Sequence, residues 1–410
     1  MTVQTEVRGA REHDYPAVRR LLAAVWSNPD DELGIWDHLT ASDPSLEPEW
    51  VRLVVAGGQV VACTVLLPRP VRGRQGWVDG AELTLVATHP DHRLRGHGAA
   101  VVRDALGFLA ARGRAIAVFY GVPGFYPRFG CAPVIPTLRT ELPALEAAAP
   151  APAEAAPALA EATAETLAPA DLETVNALYM EQVAVSPCSA ARTADAWMWT
   201  VRNREAHRLW ILRDGAGRRA GYAFASLQRD KDRLLVREGG AVDEGAAGML
   251  LEALRRETAS HGLAGTHLAM APGHPLTRLA LLAGAQQHYF PAEAGFVAVT
   301  RWKPLLPAGY TIREAGGPGS PAGSPTDLIR EGRVVLSAPR PFIVQLVLGY
   351  RDIDDILLAA AAAAASAAPG AASPRPACAA SPRPEDLERL RRDFPRDFPK
   401  YTEAPYFFWF

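Results

Sequence analysis

One order of predicted elements occurs twice along the 410 residues, and this repetition constrains the fold more than any other feature of the sequence. In the first block, Val18, Leu21, Leu22 and Val25 recur at helical spacing behind Asp14, which predicts an amphipathic helix with Asp14 as its N-cap. The elements predicted after it are strands at 51–56, 59–67 and 77–88, a helix at 98–113 and a strand at 115–121.

The second block repeats this order at similar length, which predicts a duplicated α/β unit. Its predicted elements are a helix at 171–182, strands at 209–214, 221–227 and 233–240, a helix at 244–260, a strand at 266–271 and a helix at 275–284. A third block, roughly 305–410, alternates short strands with a helix-like stretch at 341–350 and is predicted to be α+β. Of two low-complexity segments, 145–169 is predicted as a linker or loosely packed helix, and 359–383 as an alanine helix that ends in a loop.

Charge and hydropathy exclude several classes of protein. The 43 basic and 45 acidic side chains give a formal charge of −2, which argues against a nucleic-acid-binding protein. No stretch reaches the roughly 20 apolar residues that cross a bilayer. The charged N-terminal stretch lacks the apolar core of a signal peptide. The four cysteines lie far apart, as expected for reduced structural thiols, so we expect a cytoplasmic protein.

The most informative segment is the turn after the predicted strand at 77–88. It reads Arg93-Leu94-Arg95-Gly96-His97-Gly98 and runs directly into a helix. The two glycines allow a ligand to approach the backbone N–H groups closely. The helix N-terminus and the two arginines attract negative charge, so the turn suits a pyrophosphate. The alternative is a glycine-rich turn with solvated arginines.

This turn resembles the Arg/Gln-x-x-Gly-x-Gly/Ala signature of the GCN5-related N-acetyltransferases (GNAT). The resemblance implies that the backbone of Val86, Ala87 and Thr88 binds the pantetheine arm of acetyl-CoA like an added strand. It also implies that the residues of the turn hold the phosphates, namely Arg93, Leu94, Arg95, Gly96, His97 and Gly98. His89, His92 and His97 crowd the loop, but no carboxylate or cysteine completes a metal site, so we expect no metal.

The second block lacks an equivalent turn. At the corresponding place it reads EGGAVDEG from Glu238 to Gly245, without arginine and with carboxylates that would face the incoming phosphates. Because like charges repel strongly at short range, we expect this copy not to bind CoA.

A tyrosine after the fifth strand often protonates the departing thiolate in GNAT enzymes. Tyr126 in the segment FYPRFG is therefore the candidate general acid, and Tyr120 is the second choice. A phenol with a pKa near 10 remains protonated at neutral pH. The structural alternative for Tyr126 is a tyrosine packed in the core.

The FYPRFG segment, the duplicated unit and the chain length together resemble the enhanced intracellular survival (Eis) type of GNAT protein. The resemblance implies tandem GNAT folds, the second degenerate, followed by a sterol-carrier-protein-like α+β domain. It places an acetyl-CoA-binding domain at 1–148, the degenerate domain at 149–303 and the last domain at 304–410. It also implies a hexamer that acetylates aminoglycoside-like polyamines or lysine side chains of peptides.

In that family the C-terminal carboxylate serves as general base, which here falls on Phe410. Five consecutive aromatic residues end the sequence, and a run of this kind is expected to be docked rather than solvated. Burial raises the pKa of a carboxyl group and makes it a better base. The alternative is a terminus that completes the core of the third block. Trp409 stands where an acidic residue would help to hold a polycation, which leaves the acceptor open.

Candidate acceptor-binding residues follow the first helix, where carboxylates and aromatic faces suit an ammonium group. They are Trp26, Asp30, Asp31, Glu32 and Trp36. An acidic solvated loop with two packed tryptophans explains them equally well. From another class, the rival to the enzyme is a non-catalytic protein that binds CoA, or a lipid in the sterol-carrier-like domain.

Overall fold

The computed structural model describes residues 4–26, 30–122, 124–144, 158–162, 166–184, 188–192, 196–198, 208–270, 273–314, 325–358 and 382–395. The chain divides into two compact units. Unit 1 comprises Met1–Val134 with Ala292–Lys400, and unit 2 comprises Ile135–Pro291 with Tyr401–Phe410. The domain boundaries that the sequence places after residues 148 and 303 remain a prediction.

The structure has mixed α/β architecture, with a mixed sheet in each unit and helices against the sheets. The strands are β1 Thr5–Gly9, β2 Val51–Ala56, β3 Gln59–Gly73, β4 Gly76–Thr88, β5 Ile116–Tyr120, β6 Ala132–Pro143, β7 Ala158–Ala162, β8 Arg208–Arg213, β9 Arg219–Gln228, β10 Arg233–Ala241, β11 Gly265–Leu268, β12 Gln286–Val299, β13 Tyr310–Glu314, β14 Pro325–Arg330 and β15 Arg333–Pro339. The helices are α1 Tyr15–Val25, α2 Asp30–Ser42, α3 His97–Ala111, α4 Pro169–Ala184, α5 Glu244–Ser260, α6 Pro275–Leu282, α7 Arg340–Val347 and α8 Pro384–Asp393.

The sheet of unit 1 follows the order β1-β2-β3-β4-β5-β12. The pairs β1–β2, β2–β3 and β3–β4 are antiparallel. The pair β4–β5 is parallel, and β12 is antiparallel to β5. Gly57 and Gly58, with φ of 59° and 78°, form the turn between β2 and β3. Two successive left-handed residues match the twist of a tight hairpin, which confirms the glycine pair as a turn signal.

The sheet of unit 2 repeats this pattern with β7-β8-β9-β10-β11 and ends on β6. β10 and β11 are its parallel pair, and its other neighbours are antiparallel. The strand that ends each sheet, β12 in unit 1 and β6 in unit 2, comes from the block of sequence that forms the other sheet. Residues 140–143, which follow the first block, pair with β11, whereas residues 295–299, which follow the second block, pair with β5.

Helix α1 buries the predicted residues Val18, Leu21 and Leu22. Asp14 stands at its N-cap position, but its carboxylate makes no capping hydrogen bond to the helix. It accepts instead from the backbone N–H of Arg11 at 2.8 Å and from the guanidinium of Arg8 at 2.7 Å and 3.0 Å. The N-cap position is therefore as predicted, but the capping hydrogen bond is not formed, because a nearby charged donor in β1 competes for the same carboxylate.

The predicted linker at 145–169 contains strand β7, which pairs with β8 from Ala158–Arg213 to Ala162–Leu209. Alanine is a poor strand former, but backbone hydrogen bonds to an existing sheet edge override that preference. The third block contributes the antiparallel sheet β13-β14-β15 with α7 packed on it. Its observed α+β character agrees with the sequence, whereas its likeness to sterol carriers remains a prediction. None of the helices in the described ranges is long and apolar enough to cross a bilayer.

Candidate active site

Strands β4 and β5 are hydrogen-bonded over only part of their length. Their parallel ladder runs from Gly80–Ile116 to Glu82–Val118, although β4 continues to Thr88. In the β3–β4 ladder the register shifts just beyond this point, and Leu85 there has a φ of 50°. A bulge of this kind bends the strand that carries it. The last residues of β4 therefore lie beside β5 without pairing to it.

The predicted pantetheine-binding residues occupy this bent end of β4. Ala87 is buried, with 1% of its surface exposed, while Val86 and Thr88 are half-buried. A bent strand end that faces an unpaired neighbour leaves room for an extended ligand to add as a strand. Their role in binding remains a prediction, but the structure brings all three to the point where β4 and β5 diverge.

After β4 the chain makes a short 3-10 turn and enters α3. The N–H groups of His92 and Arg93 donate to the carbonyls of His89 and Pro90 at 2.9 Å and 3.2 Å. The next N–H with a backbone acceptor is that of Ala100, which donates to Gly96 at 2.9 Å. Within the described ranges, the N–H groups of residues 94–99 have no acceptor from the protein. They are available to an anion.

The backbone of this turn is left-handed at two places. Gly96 has a φ of 84° as the N-cap of α3, which suits a residue without a side chain. Leu94 has a φ of 60°, costly for a leucine, and its side chain is fully exposed. Arg93 and Arg95 are also exposed, so their charge is available to a ligand.

Gly98 lies against the end of β4. A Cβ atom on Gly98 would stand 3.0 Å from the hydroxyl oxygen of Thr88 and 3.6 Å from the ring of Phe125. Phe125 in turn contacts Tyr126, with ring centroids 5.0 Å apart. The structure thus brings together the end of β4, the glycine turn and the segment that carries the predicted acid.

Three histidines line the start of the turn. The ring centroids of His89 and His92 are 5.6 Å apart, and those of His92 and His97 are 6.1 Å apart. Partial burial, with the neighbouring His92 and Arg95, lowers the pKa of His97. Among the described residues, no group of three or more histidine, cysteine, aspartate or glutamate side chains has the arrangement of a metal site.

Tyr126 lies immediately before the 3-10 helix Pro127–Phe129, as its N-cap, rather than within it. It is 5% exposed, and its ring centroid lies 4.6 Å from that of Phe119 and 5.5 Å from that of Phe296. Burial, with a smaller effect of Cys131, raises its pKa above the ordinary value of tyrosine. The hydroxyl makes no hydrogen bond within the described part of the chain. The ring packs as the structural alternative expects, while the hydroxyl remains free to donate a proton.

The other candidates are placed less fully. Tyr120 ends β5 and is half-buried. Trp36 is only 2% exposed and packs edge-on against Tyr15, with ring centroids 5.2 Å apart, which favours the alternative of a packed tryptophan. Trp26 directly follows α1 as its C-cap and is half-buried. Asp30 begins α2, but its side chain, like residue Phe410, lies outside what the structure describes.

Unit 2 carries a different arrangement at the corresponding place, where α5 follows β10. The carboxylate of Asp243 accepts from the N–H of Ala246 at 2.7 Å and so caps α5. The carbonyl oxygen of Gly239 accepts from the side-chain amide of Gln182 and lies 3.0 Å from Nε2 of His274. Side chains of the protein therefore bind backbone groups at the end of β10 and the start of α5.

Glu238 is part of a buried ion pair rather than a free carboxylate. Its oxygens accept from Arg192 at 3.1 Å and 3.0 Å and from the Tyr222 hydroxyl at 2.8 Å. The guanidinium of Arg192 lies 4.1 Å from the ring centroid of Trp197 and 4.5 Å from that of Tyr179. The sequence shows no sign of this cluster, since its partners are far apart along the chain.

The bulged fourth strand, the parallel fifth strand and the glycine turn at a helix N-terminus define a GNAT-type fold in unit 1. Residues 6–134 match the family model described as an acetyltransferase (GNAT) domain. This match confirms the resemblance of the glycine turn to the GNAT family. No curated protein matches the sequence.

Solved structures share the fold over nearly the whole chain. A conserved protein of unknown function from Enterococcus faecalis V583, described as a probable N-acyltransferase, is 14% identical with a TM-score of 0.69, covering 98% of this chain and 100% of that one. Eis1 from Mycobacterium abscessus is 15% identical with a TM-score of 0.62, covering 98% of this chain and 99% of that one. At this identity the likeness concerns the fold.

Proposed function

We propose that the protein is an acetyl-CoA-dependent N-acetyltransferase that transfers the acetyl group directly to a primary amine in a ternary complex. The observation that carries this proposal is the row of N–H groups at residues 94–99 that have no acceptor among the described residues, at the N-terminus of α3 and beside the bent end of β4. Acetyl-CoA has both a phosphate-rich end for the turn and an extended arm for the strand.

Acetyl transfer requires a proton donor for the departing thiolate. Tyr126 fits this role because burial raises its pKa, so the phenol stays protonated at neutral pH. Its hydroxyl has no hydrogen-bond partner within the described residues and can therefore donate to a ligand. Gly98, Phe125 and Tyr126 form a continuous series of contacts from the phosphate turn to the acid. The thioester of acetyl-CoA supplies the activated acyl group in this scheme.

The remaining assignments rest on the resemblance to Eis-type proteins. We assign the role of general base to the α-carboxylate of Phe410, and that of acceptor to an aminoglycoside-like polyamine or a lysine side chain. Trp26, Asp30 and Trp36 remain the acceptor-binding candidates. The repeated strand order supports tandem GNAT folds, the second of them without CoA. The sterol-carrier-like domain and a hexamer complete the proposal.

Thiol release from acetyl-CoA over a panel of amines tests the proposal. Tyr126→Phe is expected to lower kcat about 100-fold, the usual contribution of a positioned acid, while the KM for acetyl-CoA changes little. Deletion of Phe410 tests the base. Tight CoA binding without turnover on any amine would favour the non-catalytic binding protein instead.

A further inference from the structure

We infer that Gly121 is the positioning residue for Tyr126: the absence of a side chain there creates the space that the Tyr126 ring occupies. The inference rests on the proposed role of Tyr126 as general acid. Gly121 directly follows β5 and lies outside the segment matched to phosphate binding.

The contact between the two residues is close. A Cβ atom built on Gly121 would lie 2.1 Å from Cε2 of Tyr126, 2.8 Å from its Cζ and 2.9 Å from its Cδ2. All three distances are shorter than real Cβ contacts, so an alanine and the present ring cannot both occupy this place. The ring edge formed by Cδ2, Cε2 and Cζ, the last of which bears the hydroxyl, therefore lies against Gly121.

The conformation of Gly121 itself does not demand glycine. It is not among the residues with left-handed backbone, unlike Gly124 and Gly130 in the same segment. Its φ is therefore not in the left-handed region that favours glycine. The three atoms nearest to a side chain at this position all belong to the Tyr126 ring.

Three aromatic rings pack around the ring of Tyr126. Phe119 and Phe296 are 0% and 2% exposed, and both rings pack against Tyr126. Phe125 covers a further side at 5.0 Å between ring centroids. Because close-packed cores do not absorb an added methyl group, the added methyl must displace the ring and its hydroxyl.

Displacement of an acid has a distinct kinetic effect. A misplaced hydroxyl lowers the rate of acetyl transfer, whereas the phosphate turn at residues 93–98 still binds acetyl-CoA. Gly121→Ala is therefore expected to lower kcat about as far as Tyr126→Phe, about 100-fold, with the KM for acetyl-CoA within about twofold. The double variant Gly121→Ala/Tyr126→Phe should be no slower than Tyr126→Phe, because the hydroxyl is already lost.

Gly107→Ala is the matched control. Gly107 lies in α3, and a Cβ there would meet no atom within 4 Å. This variant should keep the kcat of the native protein. Ultraviolet difference titration supplies a readout independent of turnover, with Tyr126→Phe identifying the signal of Tyr126. Burial keeps that signal above the usual range of tyrosine, and Gly121→Ala should return it toward a pKa of about 10.

An unchanged Tyr126 titration in a folded Gly121→Ala protein would overturn the inference, whatever its kinetics. If the Tyr126 titration shifts in Gly121→Ala but Tyr126→Phe keeps its full kcat, the positioning role of Gly121 is upheld and only the acid role of Tyr126 is overturned. If Gly121→Ala does not fold, Gly121→Ala/Tyr126→Leu decides. If this double variant folds and is as thermally stable as Tyr126→Leu alone, the inference is supported. If the double variant does not fold, the inference is contradicted.

Discussion

The carboxylate of Asp243 accepts a hydrogen bond of 2.7 Å from the N–H of Ala246, so the helix that follows the fourth strand of the unit 2 sheet is capped by its own chain. The equivalent helix of unit 1, α3, has Gly96 at its N-cap position, and glycine has no side chain to cap it. A capping carboxylate occupies the place where an anion would bind. The N-terminus of α3 is therefore open to an anionic ligand, whereas that of α5 is occupied by the carboxylate of Asp243.

Asp243→Ala should destabilise unit 2 by about 1 kcal/mol, the usual cost of losing an N-cap side chain. Urea unfolding followed by circular dichroism measures this loss. Glu244→Ala is the matched control, because the exposed Glu244 makes only a 3.5 Å ion pair with Arg278. Equal effects of the two substitutions would contradict the capping role.

Gly96→Ala should weaken CoA binding. A Cβ at Gly96 would meet no atom within 4 Å, so the substitution acts only through its φ of 84°. Left-handed backbone costs an alanine roughly 1–2 kcal/mol, which predicts about a tenfold loss of affinity if the turn relaxes to avoid it. Calorimetry with CoA measures the change, and Gly107→Ala should leave the affinity unaltered. Equal affinities for Gly96→Ala and the native protein would show that the conformation of the turn is unimportant.

His274 should make the stability of unit 2 dependent on pH. Burial lowers its pKa to about 4, against an ordinary value of about 6.5 for the unfolded chain. The unfolded state then binds more protons between these values, so stability is full above the unfolded pKa and declines as the pH falls. From pH 7 to pH 5 the expected loss is about 2 kcal/mol.

His274→Asn removes this titration and keeps a side-chain acceptor for the N–H of Leu276, which Nδ1 of His274 now binds at 3.2 Å. Denaturation at the two pH values should therefore show a smaller pH dependence in the variant, although it is less stable overall. If the native protein and His274→Asn lose stability in parallel, the titrating group lies elsewhere.

Tyr126 should remain protonated, and therefore able to act as the acid, well into the alkaline range. Burial raises the pKa of this phenol, so no decline of kcat from its ionisation is expected below a pH of about 10. A pH profile of kcat at saturating substrates measures this. If kcat already declines as the pH rises through neutrality, and this decline disappears in Tyr126→Phe, the environment described for the ring is contradicted.

Local patterns in the sequence predicted much of the fold. The predicted bounds of β2 and α5 agree with the structure, because hydrophobic periodicity and turn residues are properties of short segments. The glycine turn at residues 93–98 was likewise visible, since Gly96 and Gly98 stand directly before a periodic helix.

Features that depend on distant contacts were not predictable. Arg192 and Glu238 lie 46 residues apart, and nothing in either neighbourhood marks them as partners. The exchange of β6 and β12 depends on sheet edges formed elsewhere. Gly121 had a weak local signal, a glycine at the end of a buried strand, but only the folded chain shows that Tyr126 lies against it.

Isothermal titration of the full-length protein with CoA tests the central claim most directly. The N–H groups of residues 94–99, which have no acceptor among the described residues, and the capped helix in unit 2 predict one CoA bound per chain, with an affinity about tenfold lower in Gly96→Ala. Absence of heat with the native protein, or two molecules bound per chain, would contradict the account.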